Sequence, residues 1–316
     1  MRILVTGGAG FIGSHIVHLA LAQGHEVAVL DNLSSGLRAN VPQGAALHAV
    51  DLRDREAVRQ VVAEFRPEVV NHQAAQASVS VSVRHPLLDA DTNVMGTLSL
   101  LEACREFDVQ RAVFASTGGA IYGDIPEGEC ADETWDPRPQ SPYATSKLAG
   151  EFYLGAYQAQ YGLEYSVLRY ANVYGPRQNP HGEAGVVAIF SERVLAGEAL
   201  HVNGMHGSGD GGCVRDYVYV ADVARANLAA SLGELPARLL NIGTGHATTT
   251  TELAAQVQRA AGRVVPVQAA PPRPGDVCRS LLDPGGYQRL FGPLTPLAEG
   301  LAQTVAWFAS RTPERS

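Results

Sequence analysis

Residues 1–13 read Met1-Arg2-Ile3-Leu4-Val5-Thr6-Gly7-Gly8-Ala9-Gly10-Phe11-Ile12-Gly13. Ile3-Leu4-Val5 is a short apolar run of the kind that fills a buried strand, and Phe11 opens a stretch with helical apolar spacing that ends before Gly24. Between them Gly7, Gly10 and Gly13 stand in G-x-x-G-x-x-G spacing. Such glycines permit a tight turn, a close approach of backbone to a diphosphate at the helix N-terminus, and close helix–strand packing. A phosphate loop of the NTPase kind is excluded, because Ser14 and not a lysine follows Gly13.

Working outward, a second strand over 26–31 ends on Asp31, about 20 residues past the turn, where a dinucleotide fingerprint has its acid. A carboxylate there can accept hydrogen bonds from an adenosine ribose and would repel a ribose phosphate, so NAD is expected rather than NADP. Further strands are predicted at 46–51, 68–71, 112–116 and 165–170, with helices at 11–22, 55–65, 89–107 and 142–161; Pro67 stops the second helix. This alternation predicts an α/β fold, a Rossmann-like doubly wound parallel sheet. After Tyr170 the chain is richer in glycine and proline, with helices expected near 186–196, 220–231 and 250–261. Segments 216–231 and 239–245 read as a helix and strand returning to the sheet. The expected organisation is therefore an NAD-binding domain over 1–170, rejoined by segments near 214–245, and a smaller C-terminal substrate-binding α/β region over 171–316. Five glycines in the nine residues 204–212 predict a flexible loop.

Composition narrows the partners. With 316 residues, 46% hydrophobic and 18% charged, the chain is long and apolar enough to fold around a sizeable core. A net charge of -8 gives no general attraction for nucleic acid or an anionic membrane, so neither is an expected partner, and any anionic ligand must find local positive charge. Cys104, Cys130, Cys213 and Cys278 form no C-x-x-C pair, the opening residues lack a signal-peptide pattern, and no apolar run reaches a membrane span. A reducing cytoplasm is the expected setting. His201 and His206 read as solvent-exposed, and no metal site is expected.

Two segments extend the nucleotide site. Asp51-Leu52 ends the third strand at the same sheet edge, where an adenine contact is expected, and Gln73-Ala74-Ala75 follows the fourth, where small side chains suit either backbone contact with the cofactor or tight packing. A second constellation is Tyr143-Ala144-Thr145-Ser146-Lys147, on a helix introduced by Ser141-Pro142. Spacing i to i+4 puts Tyr143 and Lys147 on one face, where the ammonium is expected to lower the phenol from about 10 and make it a general base.

These segments, together with Asp31-Asn32-Leu33-Ser34-Ser35-Gly36, Asn93-Val94-Met95-Gly96-Thr97, Arg169-Tyr170-Ala171-Asn172, Val214-Arg215-Asp216-Tyr217 and Arg273-Pro274-Gly275-Asp276, resemble the extended short-chain dehydrogenase/reductase family over nearly the whole chain, and within it the UDP-glucose 4-epimerases. The resemblance implies bound NAD and a UDP-sugar substrate, UDP-glucose and UDP-galactose, epimerised at carbon 4 through transient oxidation to a 4-keto sugar. It makes Tyr143 the base, Lys147 a contact of the nicotinamide ribose, and Thr117 their hydroxyl partner, with Ser116 a possible substitute. Phe11, Ile12, Asn32, Ser35, Gly36, Asn93 and Tyr170 join the cofactor contacts. Asn172, Arg215, Arg273 and Asp276 become substrate contacts, the arginines having surface pairing with Asp216 and Asp276 as the alternative. Ser280 falls where relatives limit space for an N-acetyl group, and its small size implies that UDP-N-acetylglucosamine is also accepted. Two departures stand out: Thr117 is followed by Gly118-Gly119, with one residue more before Tyr122-Gly123 than in many relatives, and the loop before Arg215 is longer. Related 4,6-dehydratases and decarboxylases, which begin with the same oxidation, carry an acid just after the hydroxyl residue, absent here. A non-catalytic dinucleotide sensor would lack Tyr143 and Lys147. A homodimer through the helices 89–107 and 142–161 is implied, unless those faces are buried within one chain.

Overall fold

A computed structural model of the chain describes residues 1–180, 185–272 and 277–311. Its centre is a seven-stranded sheet. The strands are β1 (Arg2–Thr6), β2 (Glu26–Leu30), β3 (Ala46–His48), β4 (Val69–His72), β5 (Arg111–Thr117), β6 (Glu164–Tyr170) and a last strand Leu239–Ile242. Spatial order is β3-β2-β1-β4-β5-β6 followed by Leu239–Ile242, every pair parallel. The order reverses between β1 and β4, which opens a crevice at the carboxyl ends of those strands.

The sheet is buried on both faces, and strand alternation decides which residue serves which core. Ile3, Val5, Val27, Val29, Val113 and Leu168 pack beneath the helices Phe11–Ala22 and Val220–Leu232. Leu4, Ala28, Leu30, Phe114 and Val167 face the opposite core, with Val58, Leu100 and Leu154 from the helices Arg55–Phe65, Gly96–Glu106 and Pro142–Tyr161. Burial on two sides is why these strands read as unbroken apolar runs. A third core, built from Phe190, Val194, Leu200, Leu253, Val257 and Leu301, holds a smaller lobe against one end of the sheet.

The helices 11–22, 55–65, 142–161, 186–196 and 250–261 have the bounds expected from the sequence. Ser141 caps the long one by accepting from Ala144 N, and Gly162 ends it in the left-handed region. Three expectations need correction. The helix expected from residue 89 starts at Pro86 and is widened by a π turn over Asp91–Met95 before Gly96–Glu106, a break that apolar spacing does not report. Residues Tyr217–Tyr219 form a strand beside Asn172–Tyr174, and the helix expected from 216 begins only at Val220. The third strand stops at His48 rather than reaching Asp51. The smaller lobe also has short strands that the sequence reading did not anticipate: Leu200–Asn203 beside Val267–Ala270, and Val214–Arg215 between Thr248–Thr249 and Arg279–Ser280. The glycine loop 204–212 closes on one side chain, the Asp210 carboxylate, which accepts from the amides of Met205, His206, Gly207 and Gly212. Among the described residues no helix is long and apolar enough to cross a membrane.

Candidate active site

The glycine turn sits at the reversal point of the sheet. Gly7 has φ +67°, and a Cβ there would lie 2.7 Å from Ala74 N; a Cβ on Gly13 would strike the Gly7 carbonyl. The turn is thus shaped by backbone against backbone, and the first helix starts at Phe11 with no acid in its first turn to compete for an anion. Asp31 lies just past β2, buried, with one oxygen accepting from Ala9 N at 3.0 Å and the other from Leu33 N at 2.8 Å. Gly36 leaves room for that carboxylate, since a Cβ at 36 would come within 2.9 Å of both its oxygens. Asn32 and Ser35 stand exposed at the rim. Asp51 is engaged by Arg53, through Nε and Nη2 at 2.9 Å, and by Asn32 Nδ2 at 2.8 Å; the guanidinium holds its carboxyl well below the usual range. The Leu52 side chain is buried in the core beneath Gly96. On the other side Ala74 N donates to Thr6 Oγ1, and Gln73 is fixed by Asn71, Asn227 and the Tyr170 hydroxyl, so the segment packs tightly and lies against the turn. Ala75 follows it, half-buried.

The second constellation meets the first across the sheet edge. Thr117 ends β5, its side chain beside the Tyr143 hydroxyl. Ser116, one residue back, points to the opposite face, where it donates to Glu151 Oε1 in a buried group with Arg169 and Tyr122. Strand alternation therefore separates the two candidate hydroxyls. Lys147 is 4% exposed, with Nζ 4.8 Å from the centre of the Phe114 ring. Burial pushes its ammonium down to about 8, opposed by Asp89 and Glu151. Tyr143 departs from expectation: burial pushes its phenol up to about 12, outweighing the lowering influence of the Thr117 hydroxyl beside it. In a desolvated site the phenolate needs more positive charge than Lys147 alone brings.

Asn93 sits on the π turn, buried, with every polar atom used. Its Oδ1 accepts from Gln76 N, and Nδ2 donates to Gln76 O, Asp89 Oδ1 and Ser146 Oγ. Ser146 in turn donates to the Tyr143 carbonyl at 2.9 Å. Sequence reading missed Gln76, Asp89, Glu151 and the buried His72; the only signal for His72 is a titratable residue at the inward end of an apolar strand.

A cleft of about 900 Å³ separates this edge from the smaller lobe, with Phe11, Thr117, Tyr143, Tyr170, Asn172 and Arg215 in its wall. Arg215 has no carboxylate partner among the described residues; its Nη1 donates to the carbonyls of Val214 and Cys278. Its alternative partner is committed elsewhere: Asp216 is wholly buried and accepts from Thr244, Gly245 and Leu282. Asn172 Nδ2 donates to the Asp216 carbonyl. Arg273 and Asp276 lie outside the described residues. Ser280 is buried with its Oγ unpartnered and sits behind Gly119; a Cβ at 119 would be 3.7 Å from Asn172 Nδ2 and 4.0 Å from Ser280 Oγ. At 118 a Cβ would already touch Leu282 at 2.5 Å, so an acid has no place there without displacing that side chain.

Comparison with known proteins shows the family. Residues 3–243 match the model of the NAD dependent epimerase/dehydratase family. A UDP-glucose 4-epimerase of Mycolicibacterium smegmatis is 44% identical over 99% of this chain and 100% of its own length. Among solved structures, a Thermus thermophilus UDP-glucose 4-epimerase in complex with NAD superposes with a TM-score of 0.95 at 56% identity, covering 99% of this chain and 100% of that one. A Thermotoga maritima UDP-glucose 4-epimerase with UDP-glucose gives 0.90 at 47% identity, covering 98% and 99%.

Proposed function

This chain belongs to the NAD-dependent epimerase/dehydratase family, and we propose that within it the chain is a UDP-glucose 4-epimerase, inverting carbon 4 of UDP-glucose and UDP-galactose. The observation that carries this reading is the Thr117–Tyr143 hydroxyl pair with buried Lys147 behind it, facing a cleft whose other wall offers Arg215, which has no carboxylate partner among the described residues.

The turn fits NAD: it has backbone cradles that a Cβ would fill, and Asp31 sets an anion where a ribose 2′-phosphate would have to sit. Bound NAD would supply reversible hydride acceptance at sugar carbon 4 and a positive charge that would favour the Tyr143 phenolate. Tyr143 accepts the proton of the 4-hydroxyl as the carbonyl forms and gives it back as the carbonyl is reduced, so nothing is consumed. Thr117 holds the oxygen in line with Tyr143. Arg215 and Asn172 hold the UDP end while the keto sugar turns, the guanidinium suiting a diphosphate through paired donors. With glycine at 118 and 119 no acid stands beside the sugar to eliminate water, which favours return of the hydride over dehydration.

In this reading residues 1–170 carry NAD, with later segments completing their sheet, and residues 171–316 carry most of the UDP-sugar contacts. The small residues Gly119 and Ser280 leave space at the sugar end for an acetamido group. A homodimer joined through the segments 86–106 and 142–161 is part of the proposal, and the exposure of Leu87 (85%) and Phe152 (72%) in the single chain supports it.

The test is incubation of the purified protein with UDP-galactose, UDP-glucose and UDP-N-acetylglucosamine in turn, without added NAD, followed by sugar analysis. Interconversion of the first two in both directions is expected. Accumulation of a 4-keto-6-deoxy sugar would replace epimerisation by dehydration, and an unchanged third substrate would remove the N-acetyl sugars.

A further inference from the structure

His72 ends β4 one residue before the Gln73-Ala74 segment, in the dry space between the glycine turn and the π turn. His72 is 4% exposed, and its two hydrogen-bond partners, Thr6 and Thr97, are 0% and 2% exposed. Nδ1 lies 2.7 Å from Thr6 Oγ1 and Nε2 3.0 Å from Thr97 Oγ1. The direction of each bond follows from counting protons. The one hydroxyl proton of Thr97 goes to the Asn93 carbonyl at 2.6 Å, so toward His72 the Thr97 oxygen can only accept, and Nε2 must carry a hydrogen. In a neutral ring Nδ1 is then an acceptor, and Thr6 supplies its hydroxyl proton there while its oxygen accepts from Ala74 N at 3.2 Å.

Every donor in this line meets an acceptor, and its ends are functional parts. One end is the Ala74 amide against Gly7. The other continues from Asn93 through its side chain to Ser146, and from Ser146 to the Tyr143 carbonyl. We propose that His72 is a positioning residue, held as the neutral Nε2–H tautomer, which ties the glycine turn to the π turn under the Tyr143 helix and so fixes the width of the dinucleotide cleft. The assignment rests on the NAD-binding reading of that cleft. An imidazolium would break the line, since a hydrogen on Nδ1 would face the hydroxyl proton of Thr6, and it would set a second cation near Lys147 in a site without solvent. Phe114 closes the space, its ring 5.6 Å from the imidazole and 4.8 Å from Lys147 Nζ.

Two readouts test this on the full-length protein as purified. The first is nitrogen NMR of histidine-labelled protein, with the His72 signals identified by their loss in His72→Gln. Nδ1 is expected bare and Nε2 protonated, unchanged from pH 5.5 to 8.5; a titrating ring, or a hydrogen on Nδ1, overturns the assignment. The second is the rate of NAD release in Thr97→Val, which keeps the shape of the side chain but leaves Nε2–H without an acceptor, against Thr97→Ser, which keeps the hydroxyl. About tenfold faster release in the valine variant, with the serine variant within about twofold of the parent, is the expected pattern. Release equally unchanged in both variants would show that His72 only fills space. Neither readout needs turnover, so a chain inactive on every UDP-sugar would overturn the proposed reaction while these measurements still decide the role of His72.

Discussion

At the scale of single residues, Thr117 and Ser116 are neighbours in sequence with opposite environments. Thr117 meets the Tyr143 hydroxyl, whereas Ser116 belongs to the buried ion pair of Glu151 and Arg169. Replacing Tyr143 by Phe keeps the ring and removes the proton acceptor; kcat measured with saturating UDP-galactose is expected to fall by about two to four orders of magnitude. Thr117→Val is expected to lower kcat by about tenfold to a hundredfold, the loss of one hydrogen bond made at the reacting oxygen. Ser116→Ala should leave kcat near the parental value and show its effect in stability instead, and a larger kcat loss in Ser116→Ala than in Thr117→Val would exchange their roles. Much at this scale was legible. Gly7, Asp31, Tyr143 and Lys147 declare themselves by spacing, because a turn, a strand end and one helical face are local constraints. Tyr143's pH behaviour was not legible, since desolvation depends on what the fold stacks around the phenol.

At the scale of elements, the parallel strands and their crossover helices were readable from apolar runs and caps. The π turn over Asp91–Met95 was not, because one extra residue in a helical turn leaves the apolar rhythm nearly intact while it redirects Asn93. The two long helices carry a different message on their outer faces. Leu87 and Phe152 are exposed, with Met95 and Tyr153 also open to solvent, so the chain itself does not cover these positions. The double variant Leu87→Glu/Phe152→Glu places four charges in a two-fold interface and is expected to shift the mass seen by light scattering from dimer to monomer. A dimer that survives both substitutions would mean that these faces are not the contact.

At the scale of the whole molecule, legibility followed the size of the elements. The sheet domain announces itself because seven strands bury both faces, whereas the smaller lobe rests on two- to four-residue strands that are too short for any sequence period to mark. The folded chain as a whole also disfavours charge on two imidazoles, one buried and one half-buried. Burial lowers His72 to about 3 and His15, whose Nε2 is bonded to the Pro176 carbonyl, to about 4. In the unfolded chain both return to about 6.5. Between pH 6.5 and about 4 the unfolded state therefore binds protons that the native state refuses, and stability rises with pH across that window. The contribution of these groups is fully present above 6.5 and is lost as the solution is acidified, by up to ~1.4 kcal/mol per pH unit for each histidine. Urea unfolding at pH 6.5, 6.0, 5.5 and 5.0 should show this decline well above the range where carboxylates protonate. The variant His15→Gln keeps a donor for the Pro176 carbonyl but no titrating group, and should reduce the slope by about the share of one histidine. A flat profile over the same range would mean that both imidazoles take up protons in the folded chain, which the packing around His72 does not allow.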